Sequence, residues 1–360
     1  MRAAARRSLP ALARGTVAAS AALAAYAALR RYPPAGEDTW LRTNHRGEHV
    51  TLLEGPAVTA GAVAAQVITA AVAAPRAGGR RATENYPERM PPSAYPLAIA
   101  GLGGVAFGVL DDLRGSGKRR GLRGHLGALA HGEVTTGTVK LAGLAAVGFG
   151  AALLEGGDAA DVVVNAGLIA GGANLLNLFD LRPGRAIKVA ALTSGLIAAG
   201  SALTEDAGLE APGRTAGLQA VAVPAGAALA LLPEDLGERA MLGDSGANAL
   251  GAMLGASAAQ SLPKKARLGL LAVIVALTVA SEKVSFTRVI ENTPPLRWLD
   301  MLGRRPATLA APVTARAPGQ HAAAGIVATA EPVALTRAER IAFWVRRKRP
   351  GRHRRNRAVV

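Results

Sequence analysis

Apolar runs about as long as a bilayer crossing alternate along this chain with short polar breaks. In windows of about 19 residues they fall at 8–29, 51–75, 94–110, 134–154, 160–178, 187–203, 215–232, 245–262 and 267–281. Crossing a hydrocarbon core about 30 Å thick takes about 20 helical residues. The pattern therefore predicts an all-α, polytopic transmembrane helix bundle of about nine spans. Several runs are rich in Ala and Gly rather than Leu, and small residues let membrane helices pack closely. The first run also has the basic start, apolar centre and small residues of a signal peptide. The equally apolar chain behind it favours a first span. Residues 306–334 are broken by Pro312, Arg316, Pro318, Glu331 and Pro332 and read as an Ala/Pro-rich linker, with a tenth span as the alternative. The chain thus divides into a membrane domain at 1–305, the linker at 306–334 and a tail at 335–360.

Composition sharpens this picture. Half of the 360 residues are hydrophobic, 43 are Gly and only 3% are aromatic. The mean hydropathy of +0.23 averages greasy spans with a very polar tail. With no cysteine, disulfides and thiolate metal sites are excluded. The net charge of +17 is concentrated at the end, where "TRAERIAFWVRRKRPGRHRRNRAVV" carries ten Lys/Arg against one Glu. Beside so apolar a chain, such a segment reads as a solvated tail near anionic lipid rather than a nucleic-acid arm. Lys and Arg in the loops balance between the two faces, and the C-terminal segment tips the count. Its side is assigned to the cytoplasm.

Polar residues then gather on that side. Asp111 and Asp112 end the third span in "GVAFGVLDDLRG", where two carboxylates face the negative pole of a helix dipole. Asn174, Asn177 and Asp180 end the fifth span in "NLLNLFD" and, spaced i, i+3, i+6, share an arc of about 120°. Asp244 opens the eighth span in "MLGDSGANALG". Taken alone, the asparagines could bond neighbouring helices and Asp244 could be an N-cap. Four acids at one level would raise one another's pKa unless a divalent cation sat among them. Oxygen donors without Cys or clustered His favour Mg²⁺, with Mn²⁺ as the alternative. The loop after Asp112 offers Arg114, Lys118, Arg119, Arg120 and Arg123, and "TNHRGEH" after the first span offers Asn44, His45 and Arg46. A cytoplasmic loop is basic in any case. Together with a metal, these groups suit a pyrophosphate.

In this order and spacing the segments "LDDLRG", "NLLNLFDLRPG" and "MLGDSGANALG", with "TNHRGEHVTLLEGP" as a first cytoplasmic loop, resemble the polyprenyl-phosphate N-acetylhexosamine-1-phosphate transferases of the MraY/WecA type. The resemblance covers about residues 40–305. It implies a multi-pass enzyme of the cell membrane, its active site facing the cytoplasm, that moves a phospho-sugar from a UDP-sugar to a polyprenyl phosphate and releases UMP in cell-wall glycan synthesis. Peptidoglycan is one such product. Carried across, Asp111, Asp112 and Asp180 are the expected catalytic acids. Asp244 with Asp111 is expected at the Mg²⁺ site and Asn177 at the nucleotide-sugar, while Asn44, Arg46, Asn174, Lys118 and Arg123 are substrate-binding candidates from their own positions and charges. Family members often pair, which admits a homodimer.

Three departures stand beside these expectations, one being that a tenth span is not evident. Where the family reads Asp-Gly-x-Asp-Gly, this chain has Asp180, Leu181, Arg182, Pro183 and Gly184, so an acid is replaced by proline. The family's His-rich stretch is absent from "SEKVSFTRVIENTPPLRWLDMLGRRP". A non-catalytic scaffold or transporter of the same fold is the alternative. A prenyltransferase fits less well, because Asp180 lacks an acid four residues on.

Overall fold

The structure is a computed structural model that describes residues 2–73, 94–114, 131, 135–206 and 214–306. The candidate residues Lys118 and Arg123, the linker beyond residue 306 and the tail at 335–360 lie outside the described residues. So does the region of the alternative tenth span.

Among the described residues nine helices have 18 residues or more: α1 (Arg2–Arg31), α2 (Glu54–Ala73), α3 (Ala94–Arg114), α4 (Thr136–Glu155), α5 (Ala159–Phe179), α6 (Arg185–Asp206), α7 (Arg214–Leu236), α8 (Gly243–Ser261) and α9 (Lys264–Ser281). Two short helices follow, α10 (Phe286–Asn292) and α11 (Pro294–Met301). By length and composition six of the long helices, α1 to α6, can cross a membrane, and a seventh span results if α9 and α10 are one span bent by 96°. The expected nine apolar runs therefore form nine long helices, but not nine equally apolar ones. Helix α7 holds Pro224 and Pro233 with acids at its end, α8 carries Asp244 and Asn248, and α9 opens on Lys264, Lys265 and Arg267. Each trades hydropathy for polar groups inside or at the end of the bundle.

Helix α8 lies at the centre, with sixteen of its nineteen residues buried. Its small side chains explain this position. A Cβ on Gly246 would strike Gly55 of α2, one on Gly251 the carbonyl of Gly172 on α5, and one on Gly255 the carbonyl of Leu168. Helix α3 offers Gly104 and Gly108 to the opposite flank of α8, against Ala249 and against Asp244 and Ser245. In an apolar solvent, where burying Leu against Leu gains little over Leu against lipid, such close backbone approach is what holds helices together. Many large apolar side chains also face outward. Leu196 is 73% exposed and Leu203 70%, an apolar surface compatible with association with a membrane.

Among the described residues, ion pairs gather at the two ends. At one end Asp158 caps α5 in a reciprocal capping box with Asp161. Lys264 of α9 bonds Asp158 at 3.0 Å, and Arg267 bonds Asp161 at 3.0 Å and Asn165 at 2.7 Å. The opposite end carries the candidate site. There the chain after α1 forms a small antiparallel hairpin of β1 (Leu41–Thr43) and β2 (His49–Thr51), the one departure from an all-helical fold among the described residues. Its outer strand bridges onto the segment entering α8, where the N–H of Met241 donates to the carbonyl of Thr51 at 3.0 Å.

Candidate active site

Asp111 and Asp112 arrive on the last turn of α3, Asp180 directly follows α5, and Asp244 is the second residue of α8. Helix packing brings all four to one end of the bundle. The carboxylate of Asp112 accepts the backbone N–H groups of Asp244 at 3.0 Å and Ser245 at 2.9 Å. It caps the N-terminus of α8 from another helix, satisfying orphan amides and the positive end of the helix dipole. Gly243 makes the cap possible: its φ of +62° lies in the left-handed region and turns those amides toward Asp112. The main-chain carbonyl of Asp112 in turn accepts from Arg42 of β1.

Asp111 and Asp244 are hydrogen-bonded to each other through their side chains, and a lysine reaches both. Lys140, in the second turn of α4, donates from Nζ to Asp244 Oδ2 at 2.6 Å and reaches Asp111 Oδ2 at 3.4 Å. The lysine side chain is 8% exposed, whereas those of Asp111 and Asp244 are 21% and 29% exposed. Solvent thus meets the carboxylates first. Thr136, one turn earlier on α4, adds a side-chain hydrogen bond to Asp111. The first turn of α4 is fixed by Thr135, whose hydroxyl accepts the N–H of Thr138 at 3.1 Å.

Asp180 lies deeper. Its carboxylate accepts from the backbone of Gly243, while burial and then the negative charges of Asp235, Asp244 and Asp112 push it well above the usual carboxylate range. Asn174 and Asn177 occupy the last two turns of α5, both partly buried, and the carbonyl of Asn177 accepts the N–H of Asp180 at 3.2 Å. Two further buried acids line this side. Glu54, at the start of α2, is fully buried with neither carboxylate oxygen hydrogen-bonded, and Asp235 near the end of α7 is 2% exposed.

Asn44 and Arg46 both pair with Glu238. Asn44 donates to Glu238 Oε2 at 2.8 Å, and Arg46 Nε lies 2.8 Å from Glu238 Oε1. Arg46 also donates to the carbonyls of Arg305 and Pro306. Both residues tie the hairpin to the segment that leads into Asp244, so here they shape the loop around the site. A second basic group pins α10 and α11 over the start of α6. Arg185 makes a bidentate pair with Asp300 at 2.8 and 3.2 Å, Arg304 adds a third bond at 2.6 Å, and Lys188 donates to the carbonyls of Leu299 and Asp300. Phe286 stacks on Phe179 at 5.0 Å, beside Asp180. The turn that carries Pro183 is held from this side, its carbonyl accepting Arg304 Nε at 3.0 Å.

The sequence reading passed over Lys140, Glu54 and Asp235. A signal was present for Lys140: one ammonium inside the apolar run "TVKLAGLAAV" has no business facing lipid and needs a partner. Glu54 and Asp235 sit at helix ends, where a lone acid looks like a solvated terminus.

An apolar cavity of about 290 Å³ opens beside Phe179 and runs between α5, α6, α8 and α9, lined by Leu175, Ile197, Leu254, Leu270, Ile274 and Leu277. No family model and no curated sequence matches the chain.

Proposed function

We propose that this chain is a nine-span enzyme of the cell membrane that transfers a phospho-N-acetylhexosamine, or a related phospho-sugar, from a UDP-sugar to a polyprenyl phosphate and releases UMP. The observation that carries the reading is the meeting of Asp111 and Asp244, from helices far apart in sequence, on one buried ammonium at the same end of the bundle as Asp180. The apolar cavity beginning at Phe179 adds a place for an isoprenoid tail next to the acids. The motif resemblance supplies the reaction class.

Mg²⁺ fits this donor set in a particular way. It is bound by one or two carboxylates together with waters and substrate phosphates rather than by a closed protein cage. Asp111 and Asp244 are such a pair. Asp111 and Asp244 would hold it, with Mn²⁺ as a substitute, and when bound it would offset negative charge on the diphosphate.

The chain's own groups then divide the work. A phosphate oxygen of the lipid attacks the sugar-bearing phosphorus of the UDP-sugar, and the bond from that phosphorus to the UMP oxygen breaks. Asp111 is the candidate acceptor for a proton on the lipid phosphate. Lys140 lies where its ammonium can meet charge growing on the leaving phosphate. Asp112 keeps Asp244 in place through the amides of α8, and Asp180 with Asn174 and Asn177 forms the inner wall toward the nucleotide-sugar. A site at the cytoplasmic interface lets a soluble nucleotide meet a lipid head without either leaving its phase.

The test is UMP release by the purified full chain over a panel of UDP-sugars with undecaprenyl or decaprenyl phosphate and Mg²⁺. Release is expected to stop with chelator and to fall at least about a hundredfold in Asp111→Asn and Asp244→Asn. Turnover that survives these changes overturns the roles. One observation favours a second reading, a non-catalytic member of the same fold: Pro183 stands where an acid is expected. That reading predicts UDP-sugar binding without exchange of labelled UMP.

A further inference from the structure

We propose that Lys140 is an exchangeable counter-ion, holding the Asp111–Asp244 pair together in the cation-free chain and releasing it when a divalent cation enters. The inference rests on the reading of Asp111 and Asp244 as the cation's carboxylates, and its test is separable from that of the transferase activity.

Asp111 and Asp244 touch through their side chains, and two carboxyls in contact at the end of an apolar bundle cannot both stay ionised without a positive charge beside them. The chain supplies that charge itself. Lys140 Nζ is 2.6 Å from Asp244 and 3.4 Å from Asp111, and no other cationic side chain among the described residues pairs with either acid. Lys140 is also in a poor position to be anything but paired. It stands in the second turn of an apolar helix and is buried to 7% exposure, where an ammonium without partners is strongly disfavoured.

The geometry also makes the pairing reversible. The two acids are more exposed than the lysine, so a hydrated cation approaching from the end of the bundle reaches carboxylate oxygens before it reaches the ammonium. Lysine is a point charge on a flexible four-carbon stem, unlike the rigid fork of arginine, and can leave one acceptor for another by changing rotamers. The backbone beneath it stays put, because the Thr135 cap fixes the first turn of α4. A displaced Lys140 needs a new anion, and the phosphates of an incoming nucleotide-sugar are the one the proposed reaction provides. Cation entry and phosphate binding are coupled by this exchange: the first sets free the group that assists the second.

Manganese binding, followed by electron paramagnetic resonance on the full chain in detergent without any substrate, tests the exchange. Lys140→Met keeps the stem and removes the competing charge, and is expected to bind Mn²⁺ about tenfold more tightly than the parent while binding UDP-sugar more weakly. Lys140→Arg keeps the charge and is expected to bind Mn²⁺ no more tightly than the parent. A second measurement avoids any folding defect of the variants: in the unaltered chain, methylation of the Lys140 ε-amine, read by peptide mass spectrometry, is expected to speed up several-fold when Mg²⁺ is added. Mn²⁺ affinity that is unchanged or weaker in Lys140→Met, with labelling indifferent to Mg²⁺, overturns the inference. Absence of Mn²⁺ binding in both parent and Lys140→Met overturns it as well. The transferase reading stands or falls separately, on UMP release.

Discussion

The carboxylate of Asp112 accepts the backbone N–H of Asp244 at 3.0 Å, so one acid of the site fixes the position of another. Adjacent carboxylates on α3 thereby do different things. Asp111 turns to a lysine and Asp112 to a helix terminus. Removing Asp112 leaves the amides of Asp244 and Ser245 without their acceptor. Asp112→Ala is expected to cost about 1–3 kcal/mol, read as a lower thermal unfolding midpoint in detergent with chelator present. It should also weaken Mn²⁺ binding, because Asp244 is no longer held.

The centre of the bundle tolerates no side chain where backbones touch. Gly251→Leu would drive a side chain into the carbonyl of Gly172 and is expected to destabilise by more than about 3 kcal/mol, seen as loss of a monodisperse peak on gel filtration. Gly150 of α4 is the control. A Cβ there meets nothing within 4 Å, so Gly150→Ala should be neutral or raise the midpoint by the helix-propensity gain of up to about 1 kcal/mol.

Asp300 holds two guanidinium groups, those of Arg185 and Arg304, almost fully out of solvent. Truncating it strands both charges. Asp300→Ala is expected to cost about 3–5 kcal/mol and to expose α10 and α11 to protease cleavage before the rest of the bundle unfolds.

Asp180 gives a pH dependence whose direction follows from its raised folded-state value. Well below about pH 4 it is protonated in folded and unfolded chains alike and contributes nothing. As pH rises the unfolded chain releases the proton and the folded chain keeps it. Stability contributed at this position therefore falls with rising pH until the folded-state value is passed, after which the loss is constant. In chelator, the unfolding midpoint of the parent is expected to fall on going from mild acid toward neutral pH. Asp180→Asn should flatten that fall and be the more stable form at neutral pH.

The apolar periodicity carried the helices, because burial in lipid depends on runs of residues and not on what they later touch. It placed α5 at 160–178 against the observed Ala159–Phe179, and it put Asp111, Asp180 and Asp244 at helix ends. It was silent on the hairpin Leu41–Thr51 and on α10 and α11, which owe their form to docking on the bundle. Arg185 and Asp300 meet across more than a hundred residues, and no local pattern announces such a pair.

What the sequence alone determined is which residues leave water and which acids, by their places at the ends of apolar runs, stay near it. That follows from transfer free energy, which is local and roughly additive. What only the tertiary structure decided is the pairing of those acids: Asp111 and Asp244 with Lys140, Asp112 with the amides of α8, Asn44 and Arg46 with Glu238. Direct ion pairs and hydrogen bonds act over a few ångströms, and distances of that order between remote segments exist only once glycine-lined helices have closed on one another.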